Sequence, residues 1–335
     1  MDISVIITVH KKRKRYLFQA LSSVKSQKLN KKIETIIVAD FESNYNDNEI
    51  KWVTVNNEGL GPKIAAGIEE SHGDVIALLE DDDIWLPKKL AFVEETFKRI
   101  KGLSFLHHSY ITTFDNLIPI SKKLTNCYKR FFYDPIKREG QLKSLYPYCV
   151  TNNSSIAISR EAAISAIDGL KKLNRASGVD RFIFMTAITE GIVLHEPKVL
   201  TLYRRPGLTS INAKDYRSII EEGFKYSKWS IDASCGDLMA YLEALKVMRL
   251  RGFKNLAKFF EKYMLSSAIS CYLSRSLILD AHYDELYGVA VRGLLKNISI
   301  GPASFLDSIM GISLALKIPK SLILMAEAII HKPRY

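Results

Sequence analysis

"GDVIALLEDDDIWLPKKL" occupies residues 73–90. Val75–Leu79 is an unbroken apolar run behind Gly73, short enough for a strand and too short for a helix of its own. A strand apolar at every position is buried on both faces, as in a parallel sheet. Four acids follow without a break, Glu80, Asp81, Asp82 and Asp83. Like charges at the end of a buried strand cost stability unless cations or hydrogen-bond donors meet them. From Leu86 the apolar residues take helical spacing. The stretch therefore reads as strand, charged site, helix.

The flanking sequence repeats that pattern. "ISVIITV" (3–9), "ETIIVAD" (34–40), "KWVTVN" (51–56), "LSFLHHSYITTF" (103–114), "YCVTNNSSIAIS" (148–159) and "KVLTLYRR" (198–205) read as strands. "YLFQALSSVKSQ" (16–27), "PKIAAGIEESH" (62–72), "LPKKLAFVEETFKRI" (86–100) and "VDRFIFMTAITEG" (179–191) read as helices. Alternation of this kind predicts an α/β domain whose mostly parallel sheet is flanked by helices. Such sheets bind ligands at the carboxyl ends of their strands. Thr8, His10, Asp40 and the run Glu80–Asp83 all fall there. After residue 210 strand signals stop and helical patterns follow one another. We expect an α/β domain over 1–210 and a helical region over 211–335.

The 335 residues carry 48 Lys and Arg against 36 Asp and Glu, a net charge of +12. The excess is spread, +7 over residues 1–210 and +5 over 211–335. It points to an anionic partner: nucleic acid, a phosphorylated small molecule or a lipid surface. No basic face interleaved with aromatics is found, so nucleic acid is not expected. A 47% hydrophobic and 25% charged composition is that of a globular chain, not a disordered one. Cys127, Cys149, Cys235 and Cys271 form no C-x-x-C pair. They read as free, buried thiols in a reducing compartment. The N-terminal apolar stretch is short and preceded by an acid, unlike a signal peptide. No run reaches the 18 apolar residues of a membrane span. These points predict a cytoplasmic protein. "GISLALKIPKSLILMAEAIIHK" (311–332) combines apolar faces with lysines. Two readings stand for the helices of 301–335: contact with the inner face of a membrane, or packing on the α/β domain or another subunit.

A calcium loop would alternate oxygen ligands around a glycine over about twelve residues, and the acid run does not. A strand-end carboxylate site for Mg²⁺ or Mn²⁺ bound to phosphates fits it better, because these hard cations take one or two protein carboxylates.

The ordered motifs "SVIITVH", "ALSSVKSQ", "ETIIVAD", "GLGPKIAAGIEESHGDVIALLEDDDIWLPKKL", "SSIAISREAAI", "GVDRFIFMTAITEG" and "VLTLYRRPGLTS" resemble glycosyltransferase family 2. The resemblance implies a GT-A fold and inverting transfer of a sugar from a nucleotide diphosphate, a UDP-sugar first, to a hydroxyl acceptor. The acceptor class it implies is a glycan, including a lipid-linked or cell-surface one. It places Thr8 and His10 at the base and Asp40 on base or ribose. Lys63, Arg204 and Arg205 approach the diphosphate. Glu80 serves the ribose or a metal-bound water, and Asp81 supports it. Asp82 and then Asp83 hold Mn²⁺ or Mg²⁺, and Asp180, at a helix start, is the general base. "HKKRKR" (10–15) would attract a phosphorylated ligand, and Trp85 and Pro87 are structural. The chain departs from the family pattern at Ala39, Ile64, Ala65 and Arg204–Pro206, where an acid, an Arg-Asn pair and a histidine are usual. A nucleotidyltransferase is the alternative, but it would bring a glycine-rich phosphate loop that "HKKRKR" lacks. A basic, non-enzymatic binding protein is the third reading.

Overall fold

The computed structural model describes residues 1–29, 33–43, 45, 47–119, 127–174, 177–204, 216–279, 290–291, 302–315 and 322–323. Two compact units result: Met1–Asn174 with Val179–Leu208, and Arg175–Gly178 with Thr209–Tyr335.

The first unit is built on a ten-stranded sheet. Its strands are β1 (Ile3–Val9), β2 (Glu34–Ala39), β3 (Ile50–Thr54), β4 (Val75–Glu80), β5 (Ile84–Trp85), β6 (Leu103–Thr113), β7 (Phe131–Asp134), β8 (Glu139–Gly140), β9 (Ile156–Ser159) and β10 (Ile192–Arg204). The order is β3-β2-β1-β4-β9-β6-β10-β7-β8, with β5 paired to β10. β3, β2, β1 and β4 run parallel, and the apolar sequences of β1 and β4 are buried accordingly. β9 is antiparallel to both β4 and β6. The helices are α1 (Lys14–Lys25), α2 (Leu60–Glu69), α3 (Lys89–Arg99), the one-turn α4 (Leu142–Leu145), α5 (Arg160–Leu170) and α6 (Val179–Ala187). One core cluster joins β1 and β4 to α1 and α3; in it Val5, Ile7, Ala77, Leu79, Leu21 and Leu90 are almost without exposure.

Register fixes which residues share an edge. Thr8 pairs with Val38 on one side and Glu80 on the other, and Val9 pairs with Ala39. Asp40 and Asp81, each one residue past its strand, are therefore level with the end of β1. Gly61 on α2 sits against α5, where an added Cβ would meet Leu170 O at 2.4 Å and Leu173 O at 2.7 Å.

Two expectations change. The strand read over 148–159 is confined to β9, because Asn152, at φ 76°, opens a 3-10 turn over Asn153–Ser155. The cysteines are not free: Cys127 pairs with Cys149, and Cys235 with Cys271. Their separations of 22 and 36 residues carry no local signature, and only the fold brings their Cα atoms to 5.6 and 4.9 Å.

The second unit is helical over its described residues: α7 (Tyr216–Leu250), α8 (Lys254–Leu279) and α9 (Pro302–Ala315). The disulfide Cys235–Cys271 ties α7 to α8. Leu273 and Leu277 of α8 pack with Met310 and Leu314 of α9 and with Ile323. Among the described residues no helix is long and apolar enough to cross a membrane.

Candidate active site

The acid run is a turn. Asp83 N donates to Glu80 O at 3.2 Å, so the chain reverses between β4 and β5. In that turn the four side chains point to four different partners. Glu80 Oε1 accepts from Asn153 Nδ2 at 3.0 Å. Asp81 Oδ2 accepts from the His10 amide at 2.9 Å. Asp82 Oδ2 accepts from Arg13 Nη1 at 2.5 Å. Asp83 Oδ1 accepts from the Arg204 amide at 2.8 Å. The run is thus divided among three separate segments of the chain, His10–Arg13, Asn153 and Arg204, which explains how it is tolerated at a strand end.

It is tolerated at a cost in ionisation. Burial, joined by the charge of Asp82 and opposed by Arg13, pushes Asp81 up to about 7. Burial and the same neighbouring charge raise Glu80 and lift Asp83 well above the carboxylate range. Arg13 loses hydration on burial, yet Asp82, Asp81 and Glu80 outweigh that and hold its proton more tightly than usual. Asp81 Oδ1 lies 3.1 Å from Arg13 Nη2, but buried and without hydrogen-bond geometry.

Along β1 and β2 the charges are balanced instead. Asp40 Oδ1 accepts from the Lys11 amide at 2.8 Å and lies 3.5 Å from Lys63 Nζ. Burial disfavours the ionised Asp40, but the Lys11 amide and the Lys63 charge outweigh it and lower its pKa. Burial likewise lowers Lys63, with Asp40 opposing. His10 is lowered by burial against the pull of Asp40. Its Nε2 is 3.8 Å from Asp40 and 3.7 Å from Glu58.

Asp180 stands in the first turn of α6. Its Oδ2 accepts from the Asn152 amide at 3.1 Å and its Oδ1 from the Arg181 amide at 2.7 Å. The turn that holds it also holds the acid run: Glu80 N donates to Ser154 Oγ at 2.9 Å. Ser154 O is itself pinned by Trp85 Nε1 at 2.8 Å, Lys89 Nζ at 2.5 Å and Thr201 Oγ1 at 2.9 Å. Three donors on one carbonyl fix the backbone that joins Glu80 to Asp180.

Thr8, His10, Asp40, Glu80, Asp81 and Asp82 thus come together as the sequence places them, with Asp180 joined to them through Asn152–Ser154. Three residues are placed differently from expectation. Lys63 is 2% exposed and donates to Val9 O at 2.9 Å, so its charge is spent on Asp40 and the β1 backbone. Arg204 is also 2% exposed; it stacks 4.4 Å over the Tyr16 ring and donates to Gln19 Oε1 at 2.6 Å. Asp83 is fully buried and anchors β10 by accepting from Arg204 N. Arg205 lies outside the described residues. Arg13, Asn152, Asn153 and Ser154 are not singled out by the sequence. Arg13 has one signal, its place four residues past the end of β1. "NNSS" has one too, since its serines open the motif "SSIAISREAAI", but nothing local points to its partners, which are distant in the chain.

Residues 4–162 match the family model described as Glycosyl transferase family 2. Over that stretch, just under half of the chain, the sequence is similar to glycosyltransferase family 2. An uncharacterized glycosyltransferase of Nostoc sp. is 34% identical over 119 residues, which cover 32% of this chain and 36% of that protein's length. Among solved structures, S. aureus TarS 1-349 in complex with UDP superposes with a TM-score of 0.51 at 12% identity, over 95% of this chain and 90% of that one. TarS 1-349 in complex with UDP-GlcNAc gives 0.50 at 12%, over 95% and 91%. At that identity the likeness is one of fold, and the fold is that of GT-A glycosyltransferases. The family match ends at residue 162, so Asp180, β10 and Arg204 lie beyond it.

Proposed function

We propose that this chain is an inverting glycosyltransferase that moves a sugar from a nucleoside diphosphate, UDP in the first instance, to a hydroxyl acceptor. The observation that carries the reading is the Asn152–Ser154 turn, which ties the Asp180 carboxylate to Glu80 within one hydrogen-bonded unit. We read that unit as the place where donor and acceptor meet. The family 2 match and the UDP complexes of the TarS fold support the donor class.

Thr8, His10 and Asp40 bind the base and ribose. Asp180 removes the proton from the acceptor hydroxyl. The hydroxyl oxygen then attacks the anomeric carbon from the face opposite the leaving group. The carbon–oxygen bond to the diphosphate breaks, and the nucleoside diphosphate leaves with the electron pair. Two backbone amides donate to the Asp180 carboxylate and fix its orientation.

The carboxylates fit a hard divalent cation. They offer oxygen only, Asp81 Oδ1 is buried without a hydrogen bond, and Asp82 already satisfies itself with a cation, Arg13. Asp82 would hold Mn²⁺ or Mg²⁺, which would neutralise the leaving diphosphate. We further propose a glycan acceptor, including a lipid-linked one, and a cytoplasmic enzyme peripheral to the membrane through residues 301–335.

Thermal unfolding of the full chain with Mn²⁺ and each of UDP, GDP, TDP and CDP tests the donor site, since a ligand of the native state alone must raise the melting temperature. UDP is expected to give the largest rise. No rise with any of them overturns the reading.

A further inference from the structure

Away from the strand-end site, Cys127, Cys149 and His195 bring two sulfurs and a ring nitrogen within 4.8 Å of one another, and all three residues are buried. His195 on β10 is paired in register with His107 on β6. The rings are 5.0 Å apart, with Nδ1 to Nδ1 at 2.8 Å. His107 Nε2 is 2.7 Å from Thr151 O, and His195 Nε2 is 3.3 Å from Cys127 O.

The protons can be counted. Both rings are fully buried, and among the described residues their nitrogens meet only each other and backbone carbonyls, with no carboxylate to pair an imidazolium, so each is counted with one N–H. Two protons must serve three contacts, and of the two carbonyls Thr151 O is the nearer, 2.7 Å against 3.3 Å for Cys127 O, which assigns the His107 proton to Nε2. His107 Nδ1 is then a bare acceptor. The 2.8 Å contact requires His195 to place its own proton on Nδ1. His195 Nε2 is left with a lone pair, and the 3.3 Å approach to Cys127 O joins two acceptors. A buried, unprotonated imidazole nitrogen beside two sulfurs, with its other nitrogen donating to a fixed partner, is the arrangement of a metal-ligating histidine and its orienting residue.

We propose that Cys127, Cys149 and His195 form a zinc-type metal site in the reduced protein, alternative to the Cys127–Cys149 disulfide. The Cα separation of 5.6 Å suits both states. Two thiolates on one tetrahedral zinc stand about 3.7 Å apart, a separation side-chain rotation supplies. Reduction by a phosphine and water gives two thiols and the phosphine oxide. Binding of a divalent metal then releases the two thiol protons. His107 is the positioning residue for His195, and among the described residues three ligands, not four, come together. Thr151, whose carbonyl accepts from His107, directly precedes the Asn152 turn. Disulfide and metal are therefore two ways of bracing the segment that carries Asp180's partner. Cys235–Cys271 is the internal control, since among the described residues no histidine or acid joins it in such a cluster.

The test is Co²⁺ titration of the full chain, reduced with a phosphine under anaerobic conditions, with zinc content measured in parallel after gel filtration. One metal per chain is expected, with a thiolate-to-cobalt charge-transfer band. Cys235→Ser/Cys271→Ser should keep band and stoichiometry, Cys127→Ser/Cys149→Ser should lose both, and His195→Ala should weaken binding about tenfold or more. The absence of the band in the reduced wild-type chain overturns the proposal even if a variant fails to fold. So does equal uptake by the Cys127→Ser/Cys149→Ser protein.

Discussion

The two halves of the strand-end edge handle charge in opposite ways. At β1 and β2, Asp40, Lys63, His10 and the Lys11 amide neutralise one another, and Asp40 stays ionised. At β4, three of four consecutive acids are pushed toward protonation, and one partly exposed cation, Arg13, serves two of the four. The first half is balanced in charge, although Asp40 Oδ2 is buried without a hydrogen bond. The second is short of positive charge and gains most from a cation. The donor recognition and charge stabilisation proposed for these two halves should therefore be separable by mutation.

The largest effect should separate them in function. Asp180→Asn removes the proposed base while keeping shape, so transfer should fall about 10²–10⁴-fold with the UDP-induced thermal shift unchanged. Asp40→Asn should do the reverse, weakening UDP about 10–100-fold through loss of a charged acceptor with transfer at saturating donor largely kept. Isothermal titration and a donor-saturated assay check both. If the two variants lose the same property, the halves do not act separately.

The same contrast governs what the sequence makes legible. β1 and β4 are buried strands, and β2 is buried over all but its first residue, so their ends follow from sequence once the sheet is taken as parallel. Thr8, Asp40 and the acids come with those ends. Arg13 is hidden inside a basic run, because nothing local says which of Lys11–Arg15 turns toward Asp82. The Asn152–Ser154 turn reads as strand, since its hydrogen bonds go to Asp180 and Glu80, 28 and 73 residues away. Lys63 and Arg204 read as free because charged residues are seldom fully buried, and here each is buried against a partner. The cysteine pairs escape the sequence for the same reason, being made by tertiary approach alone.

A second effect is in the pH dependence of stability. Asp81 has a folded pKa of about 7 against an ordinary value near 4. The folded state therefore holds the proton more tightly, and stability is lost as pH rises from about 4 to about 7. Asp40, lowered, acts with the opposite sign: its contribution is present at neutral pH and disappears in acid. Asp81→Asn should remove a cost of at most about 4 kcal/mol at pH 8. It should narrow the drop in melting temperature between pH 5 and pH 8. Asp40→Asn should lower the melting temperature at pH 8 more than at pH 4. Equal pH profiles for wild type and Asp81→Asn would show that Asp81 is not held protonated.

Arg13 is next. Arg13→Met strips Asp81 and Asp82 of their cation. The loss should be about 1–3 kcal/mol, below that of a fully buried pair, because the Arg13 side chain is 35% exposed. The informative measurement is rescue. Mn²⁺ should raise the melting temperature of Arg13→Met more than that of wild type, since it no longer competes with a guanidinium. A smaller rise in the variant would place the metal elsewhere than Asp82.

The smallest change probes the joint between the halves. Trp85 is 1% exposed and its indole is one of three donors to Ser154 O. Trp85→Phe keeps most of the packing and removes one hydrogen bond, so the loss in stability should be about 1 kcal/mol. Lys89 and Thr201 still hold the carbonyl, so the turn should stay in place and UDP binding should not change. Transfer is the sensitive readout, because Asn152 hands any displacement of the turn directly to Asp180. A several-fold fall in turnover with unchanged UDP affinity would show that the turn positions the base. Loss of UDP affinity instead would mean that the acid half also carries donor recognition, and the division drawn above would fail at its joint.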